Sequence, residues 1–223
     1  MSNDQNNHAN NPPMEENELL KRLRAIGSDL WGELPNVPAE PKPSAEKPAR
    51  VVVKRPEIGI DNLWMTADET IDWTDALGHE YPADGLTSMR LWSFYHTQAE
   101  AVLSGDTKAY ADVLKKANPL GELTPFAEGI SMRPLNPERV EAHFNCRAEY
   151  MQDNAKKYLS AMGIRIARDL LACLPVDEVG VIAVQGGKNV MEVTYRREMF
   201  LHRNFSFLDP VGLTGECGAT FDL

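Results

Sequence analysis

Asp177 precedes an apolar run, and Glu192 follows fifteen residues later in the next one. Carboxylates on neighbouring strands are how metal-dependent nucleases hold a divalent ion. A lysine two residues past the second acid then polarises the phosphate. That position is Thr194 here, so the pattern is partial and Asp177 and Glu192 are weak catalytic candidates. The histidines are His8, His79, His96, His143 and His202. No two are four residues apart, the spacing that aligns two ligands on one helix face. His143 and Cys146 are three apart on an alternating run, so they face opposite sides of a strand. Gln185-Gly-Gly-Lys-Asn189 joins two apolar runs and lacks the Ser or Thr that follows the lysine of a phosphate loop. A hairpin turn accounts for its glycines. Cys173 falls on an apolar helical stripe, Cys146 on the apolar side of a strand, and Cys217 in a Gly-flanked loop with nothing beside it to favour a thiolate. No metal and no cofactor is expected.

Three arginines offer a different chemistry. Arg196, Arg197 and Arg203 interleave with Tyr195, Phe200, Phe205 and Phe207. Cations among aromatic rings can stack single strands or nucleotides, although a sheet needs inward aromatics in any case. Arg165 and Arg168 ride a long helix, with Asp169 four residues past Arg165, and read as an ion pair on a solvated face.

The chain has 223 residues, with 43% hydrophobic and 25% charged. These values exclude collagen, coiled-coil rods and wholesale disorder. No apolar stretch is long enough for a membrane span, and the polar first residues exclude a secretory signal. Three cysteines without metal or disulfide spacing suit a reducing cytoplasm. The formal charge of -10 disfavours sequence-blind nucleic-acid binding. It is concentrated between Arg55 and Arg90, where eight acids face no base. Asp68, Glu69, Asp72 and Asp75 form the middle of that acidic surface, which could occupy a partner's basic groove. In the first turns of a helix they also suit its positive end.

The elements that must position these groups begin with a tail, residues 1–50. Within 15–31, Leu19, Leu23, Ile26 and Leu30 share one helical face, and Trp31 follows. Pro35, Pro38, Pro41, Pro43 and Pro48 then make an extended linker. A tethered amphipathic helix is a docking element for another protein's groove. Residues 51–223 read as a single α+β body, helical over 66–117 and sheet-containing over 126–223. Val51 opens a short strand. Thr66-Ala-Asp-Glu69 reads as a capping box for a helix to Leu77. A helix over 86–103, a Ser-Gly-Asp connection and a helix capped by Asp106 form an αα-hairpin. Strands follow over 129–134 and 139–147, and the best helix in the chain is capped by Asp153 and stopped by Pro175. A hairpin over 179–195, a turn of helix after Arg197 and an edge strand near 219–222 complete an antiparallel sheet with one long helix packed across it.

Asn118-Pro119-Leu120, Ile166-Ala-Arg168-Asp-Leu-Leu171, Leu174-Pro-Val-Asp177, Arg197-Glu198 and Leu208-Asp209-Pro210 carry a resemblance. Residues 118–210 resemble an uncharacterised domain found at the C-terminus of assorted bacterial proteins, without that family's Thr-Gly loop. The resemblance implies a bacterial, intracellular α+β accessory domain and transfers no catalytic residue. The expected function is a non-enzymatic protein-interaction or accessory module, with a nucleic-acid-acting enzyme or an acidic mimic as alternatives.

Overall fold

The computed structural model describes residues 58–82 and 87–223. The expected helix over 15–31, the proline-rich linker and the strand at Val51 lie outside the described residues, and so do Leu19, Leu23, Ile26, Leu30 and Trp31.

Helices come first. In α1 (Trp73–Gly78) the Asp72 carboxylate accepts from the amides of Thr74 and Asp75. The expected capping box at Thr66–Glu69 does not form, because distant partners take the groups it would use. Thr66 Oγ1 accepts from Arg165, the Asp68 amide donates to Asp169, and the Ile71 amide donates to the Ala172 carbonyl. Next come α2 (Met89–Leu103), capped by Ser88, and α3 (Thr107–Ala117), capped by Asp106 as expected and closed by Asn118 at φ 49°.

The sheet contains β1 (Ala127–Asn136), β2 (Arg139–Cys146), β3 (Glu178–Gln185), β4 (Lys188–Arg196) and the short β5 (Thr220–Phe221), in that spatial order. The long helix α4 (Ala155–Cys173) joins β2 to β3 and is capped by Asn154, one residue after the expected Asp153. A seven-residue helix, α5 (Pro210–Glu216), was not expected from the sequence. The sheet is mostly antiparallel, but β2 and β3 run parallel, with Arg139 opposite Glu178. The reason is the connection. A 19-residue helix returns the chain along the sheet, so β3 restarts at the end where β2 began.

One face of the sheet is core. Val140, Ala142 and Phe144 on β2 join Val179, Val181 and Ala183 on β3, and Met191, Val193 and Tyr195 on β4. The opposite face carries charge, with Glu178 between Arg139 and Arg196. Helix α4 covers the apolar face. Apart from Arg168, every residue from Tyr158 to Cys173 is buried, so the helix is enclosed on all sides rather than along one stripe.

Gly163 fixes how closely α4 approaches the sheet. A Cβ there would stand 2.6 Å from the Tyr195 hydroxyl and 3.3 Å from its ring. Tyr195 is fully buried and bonded to Thr214 Oγ1 at 2.9 Å, so it has nowhere to retreat. Alanine would add about 1 kcal/mol of helix propensity, while overpacking costs about 1–3 kcal/mol. Gly163→Ala is therefore expected to lower unfolding free energy by up to about 2 kcal/mol in urea titration. A raised stability would contradict this packing.

Candidate functional site

The last carbonyls of an α-helix have no partner within the helix, and in α4 that end is buried. Arg197 Nη2 donates to the carbonyls of Leu171 (2.9 Å) and Leu174 (2.8 Å), and its Nε donates to that of Val176 (2.9 Å). The Ile71 amide takes the Ala172 carbonyl, and Trp73 Nε1 takes that of Cys173 at 3.0 Å. Five carbonyls at one helix end are thus satisfied by residues from two remote segments. Pro175 prevents the helix from continuing, and Leu174 before it is extended.

One turn earlier lies an ionic cluster. Arg165 is only 1% exposed, and its fork is filled: Nε to Asp169 at 2.6 Å, Nη1 to Thr66 at 2.6 Å, Nη2 to Glu122 at 3.1 Å. Asp68 stands 3.9 Å from the same nitrogen. The expected Arg165–Asp169 pair forms, but not on a solvated face. A buried ion pair is tolerable only with its remaining hydrogen bonds made, and these are. Arg168, three residues on, lies beside Arg165 and reaches the same segment. Its Nη1 donates to the carbonyls of Trp64 (2.6 Å) and Thr66 (3.3 Å), and its guanidinium lies 3.7 Å above the Phe205 ring.

Between these anchors runs an open groove of two adjoining hollows, about 360 and 200 Å³, which share Thr70, Leu171, Ala172 and Arg197. Ile71, Trp73, Leu103 and Pro175 wall the larger hollow; Arg168, Phe200, Leu201 and Phe205 wall the smaller. Burial holds the Arg168 and Arg197 guanidiniums below the usual arginine range. Arg133, Arg139, Arg165, Arg196 and Arg203 pair with carboxylates. Among the described residues Arg168 and Arg197 have main-chain carbonyl partners instead.

The expected site residues scatter. Arg196, Arg197 and Arg203 do not share a surface: Arg196 pairs with Glu178 on the charged sheet face, Arg197 turns inward, and Arg203 pairs with Glu216. Asp177 lies in the turn before β3, whereas Glu192 projects from β4 opposite Ile182. Glu178 is opposite Arg196, so Glu192 is four strand positions away, roughly 13 Å. They cannot share an ion, and among the described residues no three His, Cys, Asp or Glu side chains gather as ligands. Of the acidic residues, Asp72 caps α1, Asp75 accepts from His79 at 2.7 Å, and Asp68 faces Arg165, while Glu69 is exposed. Thr70, Ile71, Leu103 and Phe205 were not anticipated as neighbours.

No family model, curated protein or solved structure matches this chain. Among the described residues no helix is long and apolar enough to cross a membrane. The groove must therefore be read from its own chemistry.

Burial raises the Asp169 carboxyl to about 7, against the pull of Arg165 and the Asp68 amide. In the unfolded chain it ionises near its ordinary 3.8. Between these values the folded state holds more protons than the unfolded state, so this group's contribution to stability falls as pH rises through the window. Urea titrations across it are expected to show that decline, and Asp169→Asn should flatten it. A wild-type profile that the substitution leaves unaltered would contradict the assignment.

Proposed function

We propose that this chain is a non-enzymatic interaction or accessory module whose working surface is the groove along the end of α4. The observation that carries this reading is the pairing of two half-buried guanidiniums, neither in a direct ion pair with a carboxylate among the described residues, with apolar walls open to solvent. Exposed apolar side chains at the rim, Leu103 and Leu201, support it. Concave surfaces with apolar walls and a few placed polar groups are where ligands and partners most often bind. The tail segment bearing Leu19, Leu23, Ile26, Leu30 and Trp31 supplies a second, tethered contact with the partner protein.

The alternatives have less behind them. A metal-dependent nuclease needs Asp177 and Glu192 together, and they are apart. An acidic mimic needs free carboxylates, whereas Asp72 and Asp75 serve their own helix. All three cysteines are unpaired, in keeping with a reducing bacterial cytoplasm.

The test uses surface substitutions that leave the core alone. Leu201 is 59% exposed on the groove wall, and Leu135 is 41% exposed on β1, away from it. Exposed changes of this kind alter stability by no more than about 0.5 kcal/mol. Full-length wild type, Leu201→Glu and Leu135→Glu are compared in affinity purification from the source cells. A stoichiometric protein partner is expected with wild type and Leu135→Glu, reduced at least tenfold with Leu201→Glu. Equal recovery by both variants, or no protein partner at all, would overturn the reading.

A further inference from the structure

A guanidinium carries five N–H groups. Arg197 gives Nε and Nη2 to carbonyls at the end of α4, which leaves both hydrogens of Nη1 without an acceptor among the described residues. Arg168 gives only Nη1, which leaves Nε and Nη2. Both side chains are held in place by their carbonyl partners, and Arg168 is flattened on Phe205. Arg168 keeps its Nε–Nη2 edge, the geometry that grips a planar carboxylate with two parallel bonds, and Arg197 adds one further nitrogen, Nη1.

The charge around them leaves an excess. The end of α4 supplies roughly half a negative charge. Asp68 lines the smaller hollow but is directed at Arg165, Asp169 draws on Arg168 as well as on Arg165 while Arg165 opposes that pull, and Asp72 is occupied by the amides of α1. Asp177 acts on Arg197 from the exposed turn before β3. The positive balance is thus nearer one charge than two, which suits a carboxylate better than a phosphate dianion. The larger hollow beside it is apolar, walled by Ile71, Trp73 and Leu103. The groove is open rather than ending in a wall, so it admits a segment that passes through.

We propose that the groove binds an acidic side chain of a partner polypeptide, with the carboxylate between Arg168 and Arg197 and an adjoining apolar residue in the hollow beside Trp73. This rests on the interaction-module reading and adds the chemistry that the partner must present.

The full-length, ¹⁵N-labelled protein is titrated with acetyl-Leu-Glu-amide, its neutral counterpart acetyl-Leu-Gln-amide, acetyl-leucine and inorganic phosphate. The signals followed are the Arg168 and Arg197 Nε–H resonances and the amides of Thr70 and Leu171. The acidic dipeptide is expected to shift them saturably, the Gln form to bind at least tenfold more weakly, and Leu201→Glu, which fixes a carboxylate at the groove wall, to abolish the response. Equal binding of the Gln form would overturn carboxylate recognition. Tighter binding of phosphate would make the site a general oxyanion site, and tighter binding of acetyl-leucine would make it a chain-end site; either result overturns the proposal. No response to any probe also overturns it. If Leu201→Glu still loses the cellular partner in that case, the interaction reading stands and the carboxylate assignment alone fails.

Discussion

Helix α4 is buried on all sides, and the rest of the molecule answers to that. A surface helix leaves its terminal carbonyls and charged side chains to water. An enclosed one must find partners in the protein, because an orphaned buried polar group costs about 1–3 kcal/mol. Arg165, Asp169 and the five carbonyls from Leu171 to Val176 are all in this position, and each is answered from elsewhere in the chain. The segment from Leu63 to Trp73 is fixed against the helix by the bonds that answer them. Leu63 and Trp64 enter the core there, although the residues between Met65 and Trp73 form no regular element.

The groove is a consequence of the same constraint. Arg197 leaves β4 toward the end of α4 because its carbonyls need donors, and Arg168 reaches back to Trp64 and Thr66 for the same reason. Guanidiniums recruited for their donors bring charge with them, and carbonyls neutralise it incompletely. An arginine that caps a helix end is structural in one direction and a recognition group in the other. The same geometry explains why lysine would not substitute: three carbonyls are spanned by one planar fork.

What the sequence disclosed follows the range of the interactions. The start of α3 at Asp106, the glycine hairpin at Gly186-Gly187 and the stop before Pro175 rest on chemistry within a few residues, and they were readable. The start of α1 was not, since Thr66 and the Asp68 amide are held by residues about a hundred positions away. Helix α5 carries a local signal, an Asp209 cap followed by Pro210 at the first turn. The parallel pairing of β2 with β3 is invisible to alternation, which reports faces and not directions, although a connection holding a long helix implies it. Of the candidate site, the divergence of Arg196 and Arg197 follows from the end of β4, where Arg196 is the last strand residue and Arg197 opens the turn of helix beyond it. The burial of Arg165 is readable too, because Ile164, Ala167 and Leu171 make the helix apolar all round, and such a helix has no solvated face. The groove itself joins Thr70, Arg168 and Phe205 through tertiary contact alone, and no local pattern encodes it.

Native-state hydrogen exchange at Asp68 and Ile71 tests this dependence most directly. Both amides lie outside helix and strand, yet they donate to Asp169 and to the Ala172 carbonyl. If α4 holds this segment, they exchange with the protection of the α4 amides themselves, through opening of the whole fold. Exchange at the rate of an unstructured peptide would show that the segment is not fixed by the helix, and the origin assigned to the groove would fall with it.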